Sequence, residues 1–249
     1  PDLKTGSNAL GLVLKEQMGG TDHSVAFIGE DNDSAKNGLT LLSASVESEG
    51  FDVVMSDSSL PAPPDVLGDV SPFVANILKA DDGGQPDVVY IIATTTGTTI
   101  AKALQDAGYE GMIVTPSFSP ILLSFPGYDG SWVNTQMGMD PEIPANAAML
   151  ESIAAVDPDM KLNLAVVAGY WATDFFIKAL EETGQDLTVE TLLATLNGGF
   201  TYEVDGVVGP SVWPENHEVA VPCAALTEVV DGEFVPRVPL LCGENITVD

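Results

Sequence analysis

Three clusters of small polar residues each follow a short apolar run: Glu30-Asp-Asn-Asp-Ser34, Thr94-Thr-Thr-Gly97 and Pro116-Ser-Phe-Ser119. Hydroxyls, an amide and carboxylates of this kind can hold a small molecule through hydrogen bonds and charge. None of the clusters carries a nucleophile beside a base, so the pattern points to holding a ligand rather than transforming it. His23 and His217 are the only histidines, and neither has metal-type spacing; each reads as a surface residue. Asp31-Asn-Asp33 with Asn37-Gly38 hints at a calcium loop, but the glycine falls two places too late and no Glu closes the ring. No Gly-x-Gly-x-x-Gly, Gly-Lys-Ser/Thr or Gly-x-Ser-x-Gly motif follows a strand, which disfavours phosphate-cradling and hydrolase chemistry. No metal and no cofactor is expected.

The elements that would position these clusters are two successive β-α-β units. Ser24 to Glu30, a helical stretch to Glu49 and Gly50 to Met55 make the first. Asp87 to Ala93, a helix around Ile100 to Ala107 and Met112 to Thr115 make the second. β-branched runs alternating with amphipathic helices predict an α/β fold, a doubly wound and mainly parallel sheet covered on both faces. Such sheets bind ligands beyond the carboxyl ends of their strands, where the three clusters fall.

Further along, residues 145–196 read as three helices, at 145–155, 162–182 and 188–196. The middle one is apolar nearly all round and must be buried on most sides. The segment offers no strands for it to cover, so residues 145–196 are expected either to pack on a sheet from residues absent from this chain or to show a broad exposed apolar face. Tyr170, Trp171, Phe175 and Phe176 on that helix read as core, while Asp174 among them is out of place. β character returns after Gly199. Cys223 and Cys242 stand at similar distances from an Asp231-Gly232 turn between Val-rich segments, a hairpin signature. A disulfide between them is the preferred reading and implies an oxidising compartment; two buried thiols are the alternative.

Of the 249 residues, 45% are hydrophobic, enough for one large or two small packed domains. No apolar run approaches the roughly 20 residues that span a bilayer. Pro1-Asp-Leu-Lys-Thr-Gly6 does not read as a signal peptide, so a mature, trimmed or partial chain is expected. Eight Lys and Arg against 37 Asp and Glu leave a formal charge of −29, spread along the chain. That field repels nucleic acid and anionic membrane, and suits a solubilising surface in a high-salt habitat.

In order along nearly the whole chain, several pieces resemble a known family. They are Val25-Ala-Phe-Ile-Gly-Glu-Asp-Asn-Asp33 with Gly38, Pro86-Asp-Val-Val-Tyr90, Ile100-Ala-Lys-Ala-Leu-Gln-Asp-Ala-Gly108, Ala168-Gly-Tyr-Trp-Ala-Thr-Asp174 with Ala179-Leu-Glu-Glu-Thr-Gly184, Gly206-Val-Val-Gly209 and Val230-Asp-Gly-Glu-Phe-Val235. The chain resembles a type I periplasmic binding protein, of the branched-chain amino-acid (Leu/Ile/Val) receptor group of ABC importers.

The resemblance implies two lobes that close on a hinge over a solute. It implies that 1–138 and 205–249 form the C-terminal-type α/β lobe. Residues 139–204 would be the helical part of the N-terminal-type lobe, whose sheet has no counterpart in this chain. It implies ligand contacts at Asp33, Ser34 and Ala35, at Thr94 and Thr95, and at Ser117 and Phe118. Ala35 stands where amino-acid receptors often carry an aromatic. Ser117 stands where an acid often pairs the ligand's ammonium, a role Asp31 or Asp33 could take instead. It further implies a small polar or amino-acid-like solute and a membrane permease as partners. Nucleic acid and direct membrane insertion are not expected. The implied location is periplasmic or extracellular, with tethering to the cell surface through a segment preceding this chain. The alternative is a ligand-sensing domain of a signalling receptor or regulator on the same fold.

Overall fold

The computed structural model of the chain describes residues 4–93 and 95–248. A short strand β1 (Thr5–Ser7) leads into α1 (Ala9–Met18), after which strands and helices alternate: β2 (Ser24–Glu30), α2 (Asp33–Glu49), β3 (Asp52–Leu60), α3 (Ser71–Ile77), β4 (Val88–Ile92), α4 (Thr95–Asp106) and β5 (Met112–Thr115). A 3-10 turn at Pro120–Ser124 and β6 (Trp132–Thr135) follow. Then come α5 (Pro144–Val156), α6 (Leu164–Thr183), α7 (Val189–Asn197), β7 (Thr201–Val204), β8 (Val208–Val212), β9 (Cys223–Val230), β10 (Glu233–Cys242) and β11 (Asn245–Thr247).

Seven strands make one sheet in the order β10-β9-β6-β5-β4-β2-β3. β3, β2, β4, β5 and β6 are parallel; β9 and β10 close one edge antiparallel. Alternation along the strands sorts the core into two layers. Val25, Phe27, Val88, Tyr90 and Val114 meet Leu10, Val13 and Leu14 of α1 and Leu39 and Val46 of α2. Ala26, Ile28, Val89, Ile91 and Ile113 face the other way, onto Val74 and Ile77 of α3 and Ile100 and Leu104 of α4. The doubly wound sheet read from the sequence is therefore present, with helices on both faces.

Helix α4 begins at Thr95, about a turn earlier than the periodicity around Ile100 suggests, because Thr95 to Thr99 carry no apolar pattern. β1 pairs antiparallel with β11, tying the two ends together; three-residue strands leave no periodic trace to read.

The expected hairpin is β9–β10, and Asp231 and Gly232 both have positive φ (53° and 76°), as its tight turn requires. Cys223 and Cys242 are paired across it and form the disulfide.

The helical segment differs from expectation in what it covers and in one of its aromatics. It does cover strands: β7–β8 folds against it, and Phe175 meets Phe200 and Tyr202 edge-on at 5.4 Å. Val207 and Val208 also join Met149, Val167 and Trp171, so the packing of this body runs past residue 204. The expected apolar face is also there. Val156, Met160, Phe176, Ile177, Val189 and Leu193 are exposed, Val156 at 88%. Of the four aromatics on α6 read as core, Phe176 is instead half exposed. Asp174 accepts a hydrogen bond from the Tyr202 hydroxyl (2.9 Å) and pairs with Lys178 (2.8 Å), which accounts for an acid on an apolar helix.

Candidate ligand-binding site

In the strand order, β2 is followed in sequence by β3 on one side, and the chain then crosses to β4 on the other. The carboxyl ends of β2 and β4 thus flank the switch point, where an open α/β sheet leaves a crevice. β5 lies next to β4. With neighbouring strands about 4.8 Å apart, the three polar clusters stand on one sheet edge within about 10 Å of strand spacing.

The first cluster is built by the start of α2. Asn32 is in extended conformation and its Oδ1 accepts from Ala35 N–H (2.8 Å), capping the helix. Asp33 and Ser34 are exposed on the first turn. Ala35 is buried beneath them, and its methyl fits against Gly29. Asp31 is paired with Lys36 at 2.5 Å, a contact that raises the lysine's pKa. In the second cluster, Thr95 opens α4. Thr94, and the Thr95 side chain, lie outside the described residues. In the third, Ser117 N–H donates to Thr115 Oγ1 (3.3 Å) and its carbonyl accepts from the Tyr128 hydroxyl. Those contacts fix the backbone of a half-buried serine. Burial pushes the Tyr128 phenol pKa up, so it stays a donor.

Phe118 is only 7% exposed and stacks on Phe234 with ring centroids 4.1 Å apart. Its carbonyl accepts from Leu164 N–H (3.0 Å), joining this loop to the start of α6. It stands at the junction between the sheet and the helical body. The structure therefore brings Asp33, Ser34, Thr95 and Ser117 to one edge, with Ala35 beneath and Phe118 beside the junction.

One residue of the first cluster that the implied ligand contacts left out is Glu30. It closes β2, and its Oε2 accepts from Asn32 Nδ2 (3.1 Å). Its Oε1 is buried and has no hydrogen-bond partner among the described residues. A buried carboxylate oxygen without a donor costs free energy, of order 1–3 kcal/mol. The available signal was an acid as the last residue of an otherwise apolar central strand.

His23 sits at the opposite, amino-terminal edge, 3.3 Å from Asp87, and His217 lies against Trp213, so neither can serve as a base at the clusters. Among the described residues no group of three or more His, Cys, Asp or Glu is placed to hold a metal. The edge offers hydroxyls, a carboxylate with one unpartnered oxygen and two helix amino ends.

Residues 1–233 match a family model described as periplasmic binding protein. No curated protein sequence matches the chain. Among solved structures, a leucine-, isoleucine-, valine-, threonine- and alanine-binding protein from Brucella ovis in closed conformation aligns with TM-score 0.73 and 18% identity, covering 96% of this chain and 61% of its own. A fatty acid ABC transporter substrate-binding protein from Thermomonospora curvata aligns with TM-score 0.70 and 19% identity, covering 96% and 64%. A solute-binding protein of an R. palustris ABC transporter, in complex with 4-hydroxybenzoate, aligns with TM-score 0.66 and 18% identity, covering 97% and 64%. At these identities the likeness concerns the fold. The chain spans less than two thirds of the length of each of these three.

Proposed function

Because this chain belongs to the periplasmic binding protein family, we propose that it is the larger part of an extracytoplasmic solute receptor feeding an ABC importer. The receptor binds without making or breaking bonds. A solute bridges two lobes and stabilises the closed form, because it contacts both lobes only there. Asp33, Ser34, Thr94, Thr95 and Ser117 supply hydrogen bonds from the sheet side. The partner that takes the solute is a membrane permease, and the disulfide is in keeping with a periplasmic or extracellular location.

The observation that carries the reading furthest is Glu30. A carboxylate at the switch point with one oxygen unpartnered, and Lys36 already engaged by Asp31, favours a solute that presents an ammonium or amide donor to this edge. That restores an amino-acid-like ligand although the position of Ser117 lacks an acid. The alternative acids are less suited: Asp31 is paired and Asp33 is exposed.

The second half of the clamshell is proposed to come from polypeptide outside these 249 residues. Ile153, Val156, Met160, Tyr170 and Ile177 line an open apolar groove of about 500 Å³ between α5 and α6. A sheet from that additional segment would cover it, consistent with the 61% span of the Brucella protein.

The test is a thermal-shift panel on the polypeptide as its gene encodes it, with L-leucine, L-alanine, 4-hydroxybenzoate and decanoate. At 100 times Kd a bound solute adds about 2.7 kcal/mol, a rise of a few degrees in Tm for a polypeptide longer than these 249 residues. An amino-bearing solute is expected to give that rise, and Glu30→Gln to abolish it. A response confined to the two acids would overturn the assignment of Glu30.

A further inference from the structure

Two asparagines of the chain precede a glycine: Asn37-Gly38 and Asn197-Gly198. Glycine has no Cβ to screen its backbone nitrogen, so that nitrogen can approach the carboxamide of the residue before it. Several other asparagines have their amides tied down at both ends. Asn8 donates to Glu49 and accepts from Glu244 N–H, and Asn216 donates to Pro210 O and accepts from Val212 N–H.

The two Asn-Gly pairs sit in different backbone settings. Asn37 and Gly38 lie within α2, a 17-residue helix whose interior N–H groups are held by carbonyls four residues back. Gly38 also packs towards the sheet, where a Cβ would lie 3.1 Å from the Ile92 side chain. Asn197 is the last residue of α7 and is exposed, and its side chain makes no hydrogen bond among the described residues. Gly198 N–H donates only across a tightened last turn, to Thr195 O at 3.2 Å, and Gly199 beyond it is left-handed (φ 105°). Helix ends fray, so this N–H is released far more often than one inside α2.

We propose that Asn197-Gly198 is a site of spontaneous covalent modification, independent of any solute. The Gly198 nitrogen attacks Asn197 Cγ, its proton leaves with the carboxamide nitrogen as ammonia, and a succinimide closes. Water then adds to either ring carbonyl and breaks that carbonyl's bond to the ring nitrogen, giving aspartate or isoaspartate. Both products disturb the joint between α7 and β7. The last turn of α7 has no basic residue, so the new carboxylate meets the negative end of the helix dipole unopposed. Isoaspartate also carries the main chain through the side-chain methylene. That lengthens the link between Leu196 and Phe200, which share one buried cluster and are joined by Phe200 N–H to Leu196 O (3.2 Å).

The test is to age the folded polypeptide as its gene encodes it, at neutral and at mildly alkaline pH, and to follow each asparagine by proteolysis and mass spectrometry. We expect Asn197 to convert at least about tenfold faster than Asn37, because a helix end opens more readily than its interior. The rate should rise with pH, since the attacking nitrogen must lose its proton. Aspartyl and isoaspartyl peptides should both form and separate by chromatography. Asn197→Gln, an exposed and conservative change whose longer side chain closes its ring far more slowly, should abolish conversion at this position. No conversion at Asn197, conversion of Asn37 at the same rate, or aspartate without isoaspartate would overturn the proposal.

Discussion

Glu30 combines two properties that rarely coexist at a purely structural position. It lies at the end of a buried central strand, and one of its oxygens lacks a donor. If its role is to meet a solute, the ligand-free protein bears the desolvation cost and Glu30→Gln should relieve it. We expect the variant, without ligand, to be as stable as the native chain or up to about 1 kcal/mol more stable in urea unfolding. A loss above 1 kcal/mol would mark Glu30 as structural. The sequence showed the polar clusters but not which of their side chains are free. Ala35 follows Ser34 in the first turn of α2 and Phe118 follows Ser117 after β5, yet the first packs against Gly29 and the second stacks on Phe234. A helix's first turn is too short to show a period and a loop has none, so tertiary contacts decide which of these residues face inward.

The elements themselves were legible wherever a period or a turn residue marks them. α1 ends at Gly19 and α2 at Gly50, both left-handed, and the hairpin turns at Asp231-Gly232. What escaped was pairing without period: the β1–β11 ribbon and the fold of β7–β8 onto the helices. Two of these joints can be probed. The Cys223–Cys242 bridge closes a loop of 19 residues in sequence separation. Its reduction is expected to cost about 3 kcal/mol, read as a lower urea midpoint with dithiothreitol, and no change would show that the hairpin holds without it. Gly138 lies where the chain passes from the sheet into the helical body. Its N–H donates to Val207 O (2.9 Å), and a Cβ there would lie 1.9 Å from Gly206 O. Gly138→Ala must push these two crossing segments apart, with an expected cost of about 1–3 kcal/mol in the same assay.

As a whole the molecule is lopsided. The sheet is sandwiched by helices, whereas α5, α6 and α7 leave Val156, Phe176, Ile177 and Val189 in the open. Composition gave the reason for expecting this: a helix apolar nearly all round, in a segment short of sheet. If another segment of the polypeptide covers that face, Ile177→Lys should change the stability of residues 1–249 by less than about 0.5 kcal/mol. In the polypeptide as its gene encodes it, the same change should cost 2 kcal/mol or more, as for a buried apolar side chain. Equal effects in the two settings would leave the face as a solvent surface.

The most direct test of a solute receptor that does no chemistry is native mass spectrometry of the polypeptide as its gene encodes it, incubated with the four-solute panel and followed by release and identification of what was bound. One solute held one to one, released chemically unchanged, and lost in Glu30→Gln is the expected result. Release of a converted product, or no adduct with any member of the panel, would contradict it.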